Sequence, residues 1–138
     1  MLRLDRTRAE DHSVIVGLGI DLLESSRLGK ELARRRWGAD EGVFTPTEIA
    51  YCSSGKHPEW RYAACFAAKE AALKALGTGV PDLEVFREVE VECESVTEHR
   101  IVLHDRLQAT ARQLGVRHIK LSIAVARKHI GAMVILES

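Results

Sequence analysis

The run Phe66-Ala67-Ala68-Lys69-Glu70-Ala71-Ala72-Leu73-Lys74-Ala75-Leu76, followed by Gly77-Thr78-Gly79, constrains the fold more than any other segment. Ala, Leu, Lys and Glu are strong helix formers, so the run reads as a helix that Gly77 ends. Traced backwards, the helix starts at about Glu59, after the loop Ser53-Ser54-Gly55-Lys56-His57-Pro58. Its second half is small and apolar on nearly every side. A helix of that kind must be covered on most sides, so the rest of the chain has to be built around it. Glu70 and Lys74 stand four apart, one above the other on one face. On an ordinary surface such a pair contributes only about a few tenths of a kcal/mol. Here packed positions flank it and a Gly-Thr-Gly turn follows, an arrangement suited to holding a metal ion and a phosphate.

The flanking segments supply the cover. Val14 to Ile20 is a short β-branched run that reads as a buried strand, with Asp21 where it ends. A helix is predicted from about Glu24 to Trp37, with Ser25 or Ser26 near its start. Thr45-Pro46-Thr47-Glu48 has a capping Thr, Pro at the first helical position and Glu at the third. Pro81-Asp82 opens a turn. Val85 to Val91 alternates apolar and charged residues, the pattern of a half-buried strand, and Arg100 to Leu103 adds a second. Asp105 is read as the cap of a helix that runs to Leu114 and closes at Gly115. Ile119 to Val125 and Ile130 to Leu136 are the last strands, joined by a turn at Arg127-Lys128-His129. The predicted order is β-α-α-α-β-β-α-β-β. That is an α+β fold with a mostly antiparallel sheet packed against helices.

A chain of 138 residues suits one domain spanning residues 1–138, in which 1–13 read as a loose leader of mixed charge. Hydrophobic residues at 46% and charged residues at 29% are ordinary for a soluble globular protein. Twenty basic residues balance twenty acidic ones, which speaks against a nucleic-acid binder. No apolar run approaches the ~20 residues that span a bilayer, and the N-terminus lacks the apolar core of a secretory signal. Cys52, Cys65 and Cys93 are odd in number and form no Cys-x-x-Cys. They read as free thiols of a reducing cytoplasm, and Cys65, on its apolar helix, as buried and inert.

The residues also match a known family. Gly17-Leu18-Gly19-Ile20-Asp21-Leu22-Leu23-Glu24 resembles the N-terminal motif of holo-acyl carrier protein synthases, the small single-domain 4′-phosphopantetheinyl transferases. Phe44-Thr45-Pro46-Thr47-Glu48-Ile49-Ala50-Tyr51-Cys52 is similar to their Phe-Thr-x-x-Glu-x-x-Tyr segment. Phe66 to Gly79 resembles their main signature, and Val134 to Ser138 their C-terminal strand. The resemblance implies transfer of 4′-phosphopantetheine from coenzyme A to a serine of an apo acyl carrier protein, with Mg²⁺ required. It implies an α+β fold, assembly as a homotrimer with coenzyme A between subunits, and work in fatty acid biosynthesis or a related pathway in the cytoplasm.

Carried over residue by residue, the resemblance makes Asp21 and Glu70 the metal ligands. Mg²⁺ takes hard oxygen ligands, usually one or two carboxylates with phosphates and waters. Lys74 becomes the phosphate contact, and Gly77, Thr78 and Gly79 a turn that lets backbone approach the phosphates. By residue type alone, Asp21 also suits a capping role and Gly77 a plain helix stop. Lys69 points elsewhere on the helix and reads as solvated. The group that takes the serine proton stays open between Glu70 and a water on the metal. Arg27, Lys30 and Arg34 fall on one face of the first helix, a basic patch suited to an acidic carrier or simply a solvated face.

Two positions depart from the family pattern. Cys65 stands where an Arg usually precedes the signature Phe, and Val125 where a His usually ends Ser-x-Ser/Thr-His. In the family both help bind the adenosine part of coenzyme A, including its 3′-phosphate. Neither Cys nor Val replaces such a partner. Arg61, Arg127, Lys128 and His129 are the candidates to compensate. The departures raise an alternative: a carrier-binding relative without catalysis.

Overall fold

The computed structural model describes residues 13–24, 29–31, 34, 42–79, 81–94 and 98–138. Its elements are β1 (Ile15–Glu24), α1 (Pro46–Ser53), α2 (Pro58–Leu76), a 3₁₀ turn (Val85–Glu88), β2 (Val89–Cys93), β3 (His99–Leu103), α3 (Asp105–Gln113), β4 (His118–Val125) and β5 (His129–Glu137). All strand pairings are antiparallel, as the α+β reading expects, but they form two sheets: a three-stranded one in the order β1-β5-β4 and the hairpin β2-β3. Residues 29–31 and 34 are helical, within the first predicted helix. Glu24, its expected first residue, instead closes β1.

The helix α2 is the axis of the fold. Ala63, Ala67, Ala68, Ala71, Ala72 and Leu73 are buried along it, in one core with Ile130, Val134 and Leu136 of β5. It lies directly on the backbone of β1. A Cβ on Gly19 would sit 1.9 Å from the carbonyl oxygen of Ala71, and one on Gly17 would sit 2.3 Å from that of Ala75. Glycine on the strand facing alanine on the helix is what permits this approach, since any side chain there meets immovable backbone.

The helix ends in a Schellman motif: Gly77 at φ 70° donates to Lys74 O, and Thr78 N–H donates to Leu73 O. The start of α1 matches its sequence signature. Thr45 Oγ1 accepts from Glu48 N–H at 3.2 Å, and Glu48 Oε2 accepts from Thr45 N–H at 2.8 Å. Thr45→Ala is therefore expected to lower stability by about 1 kcal/mol, measured by urea denaturation; an unchanged midpoint would refute the cap's contribution.

Four readings are corrected. β1 extends through Asp21 to Glu24, so Asp21 lies inside a strand and not at its end. Nor is β1 buried on both faces. Leu18, Ile20 and Leu22 point away from α2 and are 52%, 56% and 67% exposed. The strand expected from Val85 begins only at Val89, because Asp82 Oδ1 takes the Val85 N–H and starts a turn, while Phe86 stacks on Phe66. Finally, His104 and not Asp105 is the N-cap of α3. Asp105 is the first helical residue, with φ +43°, and the helix has no side-chain cap.

Candidate active site

β1 and α2 bring together residues about fifty positions apart in sequence. Lys74 Nζ donates to Asp21 Oδ1 at 2.7 Å and to the Ile20 carbonyl at 3.1 Å. The ammonium end is half exposed, whereas the Asp21 side chain is only 12% exposed. Its second oxygen, Oδ2, is buried and has no hydrogen-bond partner. Glu70 lies close enough to feel both neighbours. Burial raises its carboxyl above the usual range, the charge of Asp21 adds to this, and Lys74 partly offsets it. The Glu70–Lys74 pair read from the four-residue spacing is thus not the ion pair that forms. Lys74 crosses to β1 because Gly19 lets the strand run within reach.

Two neighbouring carboxylates, one with an orphaned buried oxygen, are a donor set short of positive charge. Among the described residues no cluster of three or more His, Cys, Asp or Glu joins them. Two carboxylates alone suit Mg²⁺, which fills its remaining positions with water and phosphate oxygens, better than a closed structural zinc site. The residues present therefore fit the ion that the resemblance implies.

Beyond α2, Gly77 and Thr78 are engaged in ending the helix: the Thr78 hydroxyl donates to Leu73 O at 3.0 Å. Gly79 is exposed at φ +73°, with open space around it. Lys30 and Arg34 are exposed, and Arg34 pairs with Glu31 at 2.9 Å. Arg27 lies outside the described residues.

Lys69 is the residue the sequence reading misplaced. It is fully buried, pairs with the equally buried Glu48 at 2.8 Å, and donates to the carbonyls of Phe86 and Val89. A fully buried Lys needs a partner, and the capping Glu48 was the one signal that could have supplied it.

Cys65 and Val125, sixty residues apart, line one cavity of about 490 Å³. Tyr51, Trp60, Arg61, His99 and Ser122 share its wall. Of the four proposed compensating residues only Arg61 lines it, and its guanidinium is already committed, donating to Tyr51 O at 2.8 Å and lying 4.4 Å over the Tyr51 ring. Cys65 is buried as expected, and its contact with Cys52 at 3.6 Å pushes its thiol up, which disfavours the reactive thiolate.

A model of the 4′-phosphopantetheinyl transferase superfamily matches residues 17–131. The holo-[acyl-carrier-protein] synthase of Geobacter sp. (strain M21) is 39% identical over 124 residues, which span 90% of this chain and 99% of that protein. That of Moorella thermoacetica is 38% identical, over 87% of this chain and 92% of the relative. Among solved structures, the holo-(acyl-carrier-protein) synthase of Bacillus anthracis in complex with CoA (3′,5′-ADP) superposes with a TM-score of 0.68 at 29% identity, covering 90% of this chain and 97% of that one. The synthase of Neisseria meningitidis shares the fold, with a TM-score of 0.75 at 24% identity over 91% of this chain and all of the other.

Proposed function

This chain belongs to the 4′-phosphopantetheinyl transferase superfamily, and from that premise we propose that it moves 4′-phosphopantetheine from coenzyme A to a serine of an apo acyl carrier protein. The observation that carries the reading is the convergence of Asp21, Glu70 and Lys74, with Asp21 Oδ2 buried and left without a partner. In the reaction the serine oxygen bonds to a phosphorus of the pyrophosphate. The bond from that phosphorus to the bridging oxygen breaks, and adenosine 3′,5′-bisphosphate leaves. The barrier falls mainly through positioning and neutralising charge on the phosphoryl oxygens. Mg²⁺, when held by Asp21 and Glu70, supplies that neutralisation. Lys74, half exposed on a flexible stem, adds a cation for the phosphates. The serine proton passes to Glu70 or to a water beside the two carboxylates, the groups within the site that can take it. Gly79 offers bare backbone beside the phosphates, with Gly77 and Thr78 fixing the direction of the turn.

The cavity beside Cys65 and Val125 is the place for the adenosine half of coenzyme A. Its wall is largely aromatic and apolar, its one guanidinium is tethered, and burial disfavours the charged form of His99, so it favours a planar base over a phosphate. The exposed row Leu18, Ile20 and Leu22, continued by Met133 on β5, supports a homotrimer built on the outer face of the sheet. The basic helix carrying Lys30 and Arg34, with Arg27 on the same face by sequence, suits an acidic carrier of fatty acid biosynthesis. No described helix is long and apolar enough to cross a membrane, in keeping with a cytoplasmic partner.

The test mixes the protein with apo carrier protein, coenzyme A and Mg²⁺, and weighs the carrier. A gain of one phosphopantetheine arm is expected. Carrier binding with no gain, across a panel of carriers, would leave only a carrier-binding scaffold. In the same assay 3′-dephospho-coenzyme A should be used with less than about a tenfold loss, because one missing charge-assisted contact is worth roughly 1.5–3 kcal/mol where it exists and Cys65 and Val125 make none. A loss of a hundredfold or more would show that another group grips the 3′-phosphate.

A further inference from the structure

The Lys74 ammonium rests on the very carboxylate to which the metal is assigned. Its Nζ lies 2.7 Å from Asp21 Oδ1 and 3.1 Å from the Ile20 carbonyl, while Glu70 on the same helix forms no hydrogen bond or ion pair with the described residues. An ammonium and a divalent cation repel, and both cannot share Asp21 at that range without a screening anion. We propose that Lys74 is a built-in stand-in for the divalent cation: it occupies Asp21 when the pyrophosphate is absent and swings to the phosphates when metal and coenzyme A arrive. The inference rests on the metal reading given above. The ammonium is half exposed, so nothing in the packing locks it to β1. Its four-carbon stem allows the exchange without moving α2.

The consequence is a reversal of sign. Without coenzyme A, Lys74 competes with the metal and weakens its binding. With coenzyme A bound, the same ammonium is neutralised by phosphate, completes the charge balance, and strengthens it. Metal and coenzyme A are thereby linked, and by reciprocity each raises the affinity for the other. The orphaned Asp21 Oδ2 fits this arrangement, because a monovalent stand-in satisfies only one oxygen of a carboxylate built for two partners.

The experiment titrates Mn²⁺ into the full chain, following free ion by its electron paramagnetic resonance signal, for wild type, Lys74→Met and Asp21→Asn, each with and without coenzyme A. Without coenzyme A, Lys74→Met is expected to bind Mn²⁺ at least about fivefold more tightly than wild type, the low end of usual linkage factors. With coenzyme A present the order reverses. A melting curve with and without Mn²⁺ adds a readout on the same proteins: the ion should raise the midpoint of Lys74→Met more than that of wild type. If Lys74→Met binds Mn²⁺ no more tightly than wild type while Asp21→Asn binds it less, the metal site stands and the stand-in is wrong. If Asp21→Asn binds as wild type does, or no variant binds, the metal reading itself fails and the proposal with it. If Lys74→Met does not fold, wild type alone decides: a Mn²⁺ affinity that coenzyme A leaves unchanged overturns the linkage.

Discussion

Glu70→Gln and Asp21→Asn are each expected to lower the rate of carrier modification by about 10²–10³-fold, the usual loss when one group that stabilises developing charge is removed. The folded chain should survive both. Glu70 is only half buried, and its carboxyl is raised by burial and by Asp21, so ionised Glu70 stands against the fold rather than for it. Its amide replacement keeps the shape and removes a like charge from beside Asp21. Melting temperature is therefore expected to be unchanged or slightly raised. Asp21→Asn frees Lys74 from an ion pair, but that ammonium is half exposed, and a screened pair of this kind contributes about 1 kcal/mol or less. The contrast between lost transfer and retained stability separates a chemical role from a structural one. Rates come from the mass of the carrier at timed intervals, and stability from thermal melts of the same samples. Wild-type rates in both variants would remove Asp21 and Glu70 from the reaction; a collapse of the fold in both would reassign them as structural.

Local signals carried much of the fold. Thr45-Pro46-Thr47-Glu48 named its own capping box, and the small residues of Phe66 to Leu76 announced a helix that had to be central. Period-two patterning located β4 and β5 within a residue or so. What could not be read was set by partners distant in sequence. The exposed outer face of β1 looks in sequence like the buried strand of a two-sided layer, because Leu18, Ile20 and Leu22 are apolar wherever they point. The site shows the same division. Asp21, Glu70 and Lys74 were marked by a long motif, yet spacing paired Lys74 with Glu70, and only the close approach permitted by Gly19 shows that Asp21 takes it. The departures at Cys65 and Val125 were visible one at a time; that they meet in one cavity is a fact of three dimensions. Lys69 looks solvated in sequence because nothing near it there is its partner; Glu48 lies on another helix.

That buried pair underlies the second large effect. Lys69→Met is expected to destabilise the chain by about 3–5 kcal/mol at neutral pH, since it strands Glu48 as an uncompensated buried charge. The pair also does the work of a neighbouring strand. β2 is bonded to β3 along one edge, and on the other Val91 N–H donates to Glu48 Oε1 at 2.7 Å while Lys69 donates to Val89 O. Replacing both residues, as Lys69→Met with Glu48→Leu, removes the stranded charge but leaves these backbone groups without partners, so recovery should be only partial. The loss in Lys69→Met should also depend on pH. In the wild type burial already raises the Glu48 carboxyl above its ordinary 4.5, with Lys69 the chief opposing influence. Without the ammonium it rises further. A carboxyl with a folded pKa above its unfolded one contributes stability below the unfolded value and loses it as pH rises through the folded value. The deficit of Lys69→Met relative to wild type should therefore be largest at neutral pH and shrink on acidification toward pH 5, measured by urea denaturation. A deficit under about 1 kcal/mol, or one that grows on acidification, would mean that Glu48 finds another partner. The two neighbours on α2 thus divide their tasks: Lys69, held inward by Glu48 and β2, fixes the rotation of the helix, and that rotation turns Glu70 toward Asp21.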